Sequence, residues 1–477
     1  MIRRIAALAI ALLSTAALAQ ADPLGVWRGV IGPDVIDLEI RVTIAAGEAE
    51  PGYAGTIDIP AQGLIGHPLA DVVVEGDALS FALPGIPGDP MFDGVIDGDE
   101  VTGTFVQGGQ PIAFTLERDA EGAALRPQEP VPPFPYDEEQ VEFASGDVTL
   151  AGTLTLPPGD ESVPGLLLIS GSGAQDRNQE IVGHKPFLVI ADHLTRAGYA
   201  VLRVDDRGVG GSTGSDAEAS FDDLVGDGLA GVELLRAHPR VDAARVGLLG
   251  HSQGGYLAPA VAVASDGGVA FTILVAGPAV DGFEVLVAQN ERIIEQAMRA
   301  ADPTVDDEDV AAAVAGQIGF LEALFPLLQA EDYDGARALV RERVETELAT
   351  LPVEERPDDA TVAEIIAANQ MGMSPVFRAF LVFDPQPYLR QLTVPTLALF
   401  GELDAQVIPE QSEGPMRDAL TAAGNTDATV ITVPGVNHLM QPATTGGVDE
   451  YGTIDTTIDP GVLDRITQWL QERFPSR

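Results

Sequence analysis

The residues Gly250-His251-Ser252-Gln253-Gly254-Gly255 stand between an apolar run, Val246 to Leu249, and a helix-compatible stretch, Tyr256 to Ala264. A turn that passes directly from strand to helix crowds its own backbone, and only small neighbours leave room around the central side chain. A serine held there projects from the end of a strand with its hydroxyl clear of the sheet. Ser252 is therefore the candidate nucleophile. The ordinary alternative is a glycine-rich helix start capped by the same serine.

A serine hydroxyl is a weak nucleophile at neutral pH and needs a base, and histidine suits because its pKa lies near the working range. The chain has six histidines. His67, His184, His193, His238 and His251 all precede Ser252. In the chain order nucleophile, acid, base only His438 remains, in a loop after the strand-like Thr429 to Val433. The acid belongs between them at a strand end, and Gly401-Glu402-Leu403-Asp404 follows the strand-like Thr396 to Phe400. Asp404 is preferred for orienting the imidazole. Glu402, two residues earlier, stays open as its rival.

Acyl transfer also needs donors for an oxyanion. The backbone amide of Gln253 is one candidate, and that of Ser172, in the small-residue loop Ser170-Gly171-Ser172-Gly173, is the other. These residues also suit a simple turn. Neither a cofactor nor a metal is required by this constellation. Asp93, Asp97, Asp99 and Glu100 lack the spacing of a calcium loop and suit hairpin turns. Asp205-Asp206-Arg207-Gly208 reads as a charged brace, with Arg207 pairing with the aspartates beside the elbow.

The chain has 477 residues, more than one ordinary core supports. Residues 1 to 19 carry Arg3 and Arg4, an apolar run and Ala17-Leu18-Ala19, the pattern of a cleaved export signal. Residues 20 to 125 alternate short strand-like runs with Asp-Gly and Gly-Asp pairs and predict a small antiparallel β domain. The proline-rich residues 126 to 136 predict an extended linker. From residue 137 to 477 apolar strands alternate with amphipathic helices, the pattern of a mostly parallel α/β sheet covered on both faces. It is interrupted at about 283 to 389 by a helical cap insertion.

The formal net charge is −47, or −49 once the two arginines of the first segment are gone. Such a chain is repelled by nucleic acid and by anionic membranes. No later apolar run reaches the length of a membrane span, so no stable membrane insertion is expected. Cysteine is absent, which excludes disulfides and thiolate chemistry, and Lys185 is the single lysine.

Together these segments resemble the bacterial α/β hydrolases grouped with the serine aminopeptidase-like (S33-type) fold and with esterases. The resemblance rests on Ser170 to Arg177, Gly183-His184-Lys185-Pro186-Phe187, Arg203 to Ser212, the elbow and the two later triad segments. It implies an α/β-hydrolase domain and a Ser-His-Asp triad, and leaves ester against peptide open. Ser170 stands where many such enzymes carry histidine, and the β domain and cap lie beyond the shared core. The expectation is an exported serine hydrolase, periplasmic or extracellular, that cleaves small-molecule esters. A peptidase or amidase on short peptides is the alternative, its amine-holding carboxylate sought among cap acids such as Glu322 and Glu331. A binding protein on a hydrolase scaffold stands third. Nothing in the sequence specifies an oligomer.

Overall fold

The structure is a computed structural model that describes residues 23–33, 38–46, 52–62, 64–119, 126–349, 356, 359–370 and 374–476. The expected export signal, residues 1 to 19, lies outside the described residues. The chain divides between Ala124 and Leu125 into two compact units.

The first unit is an antiparallel meander of β1 (Gly25–Ile31), β2 (Leu38–Ala46), β3 (Tyr53–Ile59), β4 (Leu64–Pro68), β5 (Ala70–Glu75), β6 (Ala78–Ala82), β7 (Met91–Asp97), β8 (Glu100–Gln107) and β9 (Gln110–Arg118). The strand order is β4-β3-β2-β1-β9-β8-β7-β6-β5. Its two ends, β4 and β5, are separated only by Leu69, whose N–H donates to the Gly55 carbonyl at 2.9 Å, so the sheet curls back on itself. Alternation of side chains along each strand places Trp27, Val42, Phe81, Phe92, Val101 and Phe114 on the inner face, all fully or almost fully buried. Phe92 stacks on Phe81 and meets Phe114 edge to face. Asp99 pairs with Arg118 at 2.9 Å across a hairpin.

The second unit is built on an eight-stranded sheet. Its strands are β10 (Asp137–Ser145), β11 (Val148–Leu156), β12 (Val163–Ile169), β13 (Ala200–Val204), β14 (Val241–His251), β15 (Phe271–Val275), β16 (Thr396–Gly401) and β17 (Ala428–Val433). They run in the order β10-β11-β13-β12-β14-β15-β16-β17, with β11 antiparallel to both neighbours and the rest parallel. This is a doubly wound, mostly parallel sheet, as the α/β expectation required. The helices α1 (Pro186–Arg196), α2 (Phe221–Ala237), α3 (Gln253–Ala264), α4 (Gly282–Ala301), α5 (Asp307–Gln329), α6 (Tyr333–Ala349), α7 (Asp359–Gln370), α8 (Pro375–Val382), α9 (Gln386–Leu389), α10 (Pro409–Ala422) and α11 (Pro460–Arg473) complete it. One face of the sheet packs on α2, α3 and α10 through residues such as Leu235, Val261 and Met416. The other packs on α1 and α11 through Leu194, Ile466 and Trp469. Both faces of the central strands are thus dry, which is why those strands read as unbroken apolar runs.

Helices α4 to α9 form the insertion between β15 and β16. Leu324, Leu328, Ala336 and Leu381 make its core, with Phe377 and Phe380 packed on it. The cap's apolar stretches thus bury much of their surface against each other. Contrary to the reading that no later segment has the length of a span, α5 is long and apolar enough to cross a membrane by length and composition alone. Four of its large apolar residues, Val310, Leu321, Leu324 and Leu328, are buried within the unit.

The linker expectation for residues 126 to 136 also needs revising. The Arg126 guanidinium donates to the carbonyls of Gly452 and Ile454, each at 2.8 Å, and of Val182 at 3.1 Å. Gln128 accepts from the amides of Thr457 and Ile458, and Tyr136 donates to Asp192. Proline discourages regular structure but leaves side chains free to bind, and these fasten the segment to the second unit.

Candidate active site

Strand β14 ends at His251 and α3 begins at Gln253, so Ser252 alone makes the turn, at φ 54° and ψ −118°. This is sparsely populated backbone for a residue with a β-carbon, and it persists only where the surroundings impose it. Here the Ser252 N–H donates to the Val275 carbonyl at 2.9 Å and the Ser252 carbonyl accepts from Gly255 at 2.8 Å. Close approach explains the flanking glycines. A β-carbon on Gly254 would sit 2.1 Å from the Ile169 carbonyl oxygen, and one on Gly255 would sit 2.3 Å from the Cα of Gly277.

The Ser252 Oγ lies 3.0 Å from His438 Nε2, and His438 Nδ1 lies 2.9 Å from Asp404 Oδ2. A carboxylate facing Nδ1 assigns the ring proton there, which leaves Nε2 free to accept from the serine hydroxyl. The other carboxylate oxygen of Asp404 accepts from the amides of Gln406 and Val407 at 2.8 Å each, and the side chain is fully buried. Glu402 is occupied elsewhere, accepting from the Gly435 amide at 2.9 Å. The loop carrying His438 is braced by buried Asn437, whose Oδ1 accepts from the amides of Leu439 and Gln441. Of the remaining histidines, His184 bonds to Thr457 and the Tyr451 carbonyl, His193 to Thr467 and His238 to Glu139.

Gln253 opens α3, where first-turn amides have no acceptor within the helix. The loop after β12 comes up beside it: a β-carbon on Gly171 would lie 3.3 Å from the Ser252 Cβ, and Ser172 follows, exposed. From the cap, α4 reaches the same rim, with Gln289 donating to Gln406 at 3.5 Å and Gln296 to the Thr445 carbonyl at 3.0 Å.

The charged brace is wired differently from the expectation. Arg207 pairs with Asp227 and Asp223 on α2 rather than with its aspartate neighbours. Asp205 instead pairs with Arg177 at 2.6 Å. Asp206 turns toward the loop before Ser252, accepting from Ser170 Oγ at 2.8 Å and from the Gln175 amide at 2.9 Å. With Gln253, Asp216 and Asp227 it lines a pocket of about 630 Å3, open solvent included. Burial, reinforced by repulsion from Asp216 and Asp227, pushes its pKa up to about 7 against the opposing pull of its hydrogen bonds. A folded-state pKa above the unfolded value gives stability that is full below the ordinary carboxylate range and is lost as pH rises through the folded pKa. The melting temperature of Asp206→Asn relative to the parent should therefore rise between pH 5 and pH 8. A difference independent of pH over that window would count against a buried, protonated Asp206. Among the described residues no group of three or more histidine, aspartate or glutamate side chains is placed to hold a metal ion.

The family model described as serine aminopeptidase, S33, matches residues 185–310. Esterase EstD of Thermotoga maritima is 26% identical over 331 residues, covering 69% of this chain and 68% of that protein. Among solved structures, an esterase of Pyrococcus furiosus covers 71% of this chain and 92% of its own, at 14% identity and a TM-score of 0.41. Proline iminopeptidase of Mycobacterium smegmatis covers 70% and 98%, at 18% identity and a TM-score of 0.43. The family segment takes in the elbow, and the esterase relative spans most of the chain. With the sheet order and the strand-to-helix turn at Ser252, these likenesses support a hydrolase with the α/β-hydrolase fold, similar to the S33-type serine aminopeptidase-like and esterase group.

Proposed function

We propose that the protein is an exported carboxylesterase in which Ser252 is the nucleophile, His438 the base and Asp404 the orienting acid. The observation that carries the reading is the unbroken hydrogen-bond line from Asp404 through His438 to Ser252 on a strained elbow. Ser252 Oγ attacks the ester carbonyl while its proton passes to His438 Nε2. Asp404 stabilises the imidazolium that forms. The amides of Gln253 and Ser172 receive the negative oxygen of the tetrahedral intermediate. His438 then protonates the departing alcohol, and water, deprotonated by the same imidazole, releases the acid and restores Ser252. The cap helices, α4 foremost, would close over the acyl or alcohol group.

The esterase relative favours esters; the S33 description of the matched segment favours a peptidase or amidase reading. An aminopeptidase needs a free carboxylate for the substrate amine, and of the two cap acids considered, Glu331 is paired with Arg378 at 3.2 Å. A panel of p-nitrophenyl acyl esters and aminoacyl p-nitroanilides separates them. The expected result is a kcat/KM for the best ester at least about a hundredfold above that for any anilide, a gap of roughly 3 kcal/mol in transition-state binding. A faster anilide would overturn the ester assignment and keep the triad. For export, the protein recovered from periplasm or medium should begin at Gln20.

A further inference from the structure

We infer that Gln179 and His251 are positioning residues of the hydrolytic site, forming one buried relay that ties the loop of Ser172 to the backbone of the base His438. The inference rests on the serine-hydrolase reading above and adds two side chains that touch neither substrate nor the reacting atoms.

The Gly171 amide donates to Gln179 Oε1 at 3.1 Å, Gln179 Nε2 lies 2.8 Å from His251 Nδ1, and His251 Nε2 lies 3.0 Å from the His438 carbonyl oxygen. Only one arrangement of protons satisfies every link. An amide oxygen must face the Gly171 N–H, so the Gln179 nitrogen faces His251 and donates to a bare Nδ1. The ring proton then sits on Nε2 and donates to His438. Gln179, His251 and His438 are each less than a tenth exposed, so water does not compete for these bonds. Burial, with the neighbouring His438 ring, holds His251 down to about 4, which keeps it neutral across the working range.

The relay has consequences for geometry and for charge. Fixing the Gly171 peptide restrains the next one, which carries the Ser172 N–H. Fixing the His438 carbonyl restrains the residue whose ring must meet both Ser252 and Asp404. The His251 ring centre is 4.9 Å from that of His438, so a charged His251 would oppose the imidazolium needed during attack. Gln179 itself is held at φ 53°, a conformation that favours glycine, so its backbone is kept in an unfavourable state while its side chain makes these two bonds. Its neighbour Asn178 accepts from Arg203, which fixes the segment from behind.

The test compares Gln179→Met, His251→Phe and the double variant with the parent on a p-nitrophenyl ester, with melting temperatures alongside. Each single change should lower kcat about 10- to 100-fold with KM changed less than about threefold, the scale on which groups supporting a catalytic residue act. The double variant should be no slower than the slower single, because a broken chain is not broken further. Gln179→Glu guards against misfolding: it keeps size and polarity and still accepts from Gly171, yet has no proton for His251 Nδ1. It should also lose kcat, with a displaced acidic limb in its pH profile. Unchanged kcat in the folded variants, a loss confined to KM, or effects that multiply independently would each overturn the relay. Fluorophosphonate labelling of the parent separates the two failures. An unlabelled Ser252 removes the serine-hydrolase reading and the relay with it, whereas a labelled parent with fully active variants removes the relay alone.

Discussion

Ser252→Ala is expected to lower kcat for the best ester by roughly a millionfold, the scale on which loss of a triad nucleophile acts when nothing substitutes for it. The reason is local. The hydroxyl lies within hydrogen-bond reach of His438 Nε2, and alanine should leave the elbow, the loop of Ser172 and the cap otherwise as they are. Substrate binding should survive, so KM or the affinity for a product acid should move little. The measurement is steady-state turnover together with intact mass after a fluorophosphonate: one adduct on the parent, none on the variant. Turnover retained by a folded Ser252→Ala protein would move the nucleophile elsewhere, whereas a folded parent that takes no adduct would bring the binding-protein reading forward.

The second large effect comes from Asp404→Asn, expected to lower kcat by about ten-thousandfold, as for other triads whose acid becomes an amide. The change is nearly isosteric, and the amides of Gln406 and Val407 can keep the side chain oriented through its oxygen. The substituted nitrogen would then face His438 Nδ1 as a donor, and the imidazole answers by moving its proton to Nε2, where it blocks acceptance from Ser252. Glu402→Gln serves as the control. Its carboxylate accepts from the Gly435 amide and lies off the line to His438, so a change of at most about threefold is expected, within the small range of surface substitutions. If Glu402→Gln proved the more damaging of the two, the acid would have to be reassigned.

The parallel core was legible because it is dry on both faces. Val246 to Leu249 and Thr396 to Phe400 are buried at every position, and their neighbours in the sheet are largely so as well. Apolar spacing alone does not fix a boundary where a cap starts the element. Helix α2 begins at Phe221, before the apolar Leu224, because Ser220 and Asp223 form a reciprocal cap. The edge strands β10 and β11 were harder to see: exposed acids at Asp137, Glu138 and Glu142 interrupt the pattern of β10, and a strand with one wet face gives a weaker signal. For the site, chain order and strand ends singled out the three residues that the structure brings within hydrogen-bond distance. Gln179 escaped because it lies in no repeating pattern and meets His251 only through the fold. The one local hint was a histidine placed next to the serine, where a small apolar residue would fit as well.

Arg126 has a mechanical meaning. A chain pulled from its N-terminal side would otherwise peel the hydrolase sheet from its edge, one β10 hydrogen bond at a time. The guanidinium instead grips carbonyls in two distant loops, at residues 182 and 183 and at 452 and 454, so a load arriving there is taken by several bonds at once. The loop at 452 also holds Tyr451, which accepts from Gln406, two residues after Asp404. The second unit therefore has its anchor point ahead of its first strand. A shortened form that begins at residue 137 would lack that anchor and expose β10 as a loose hem.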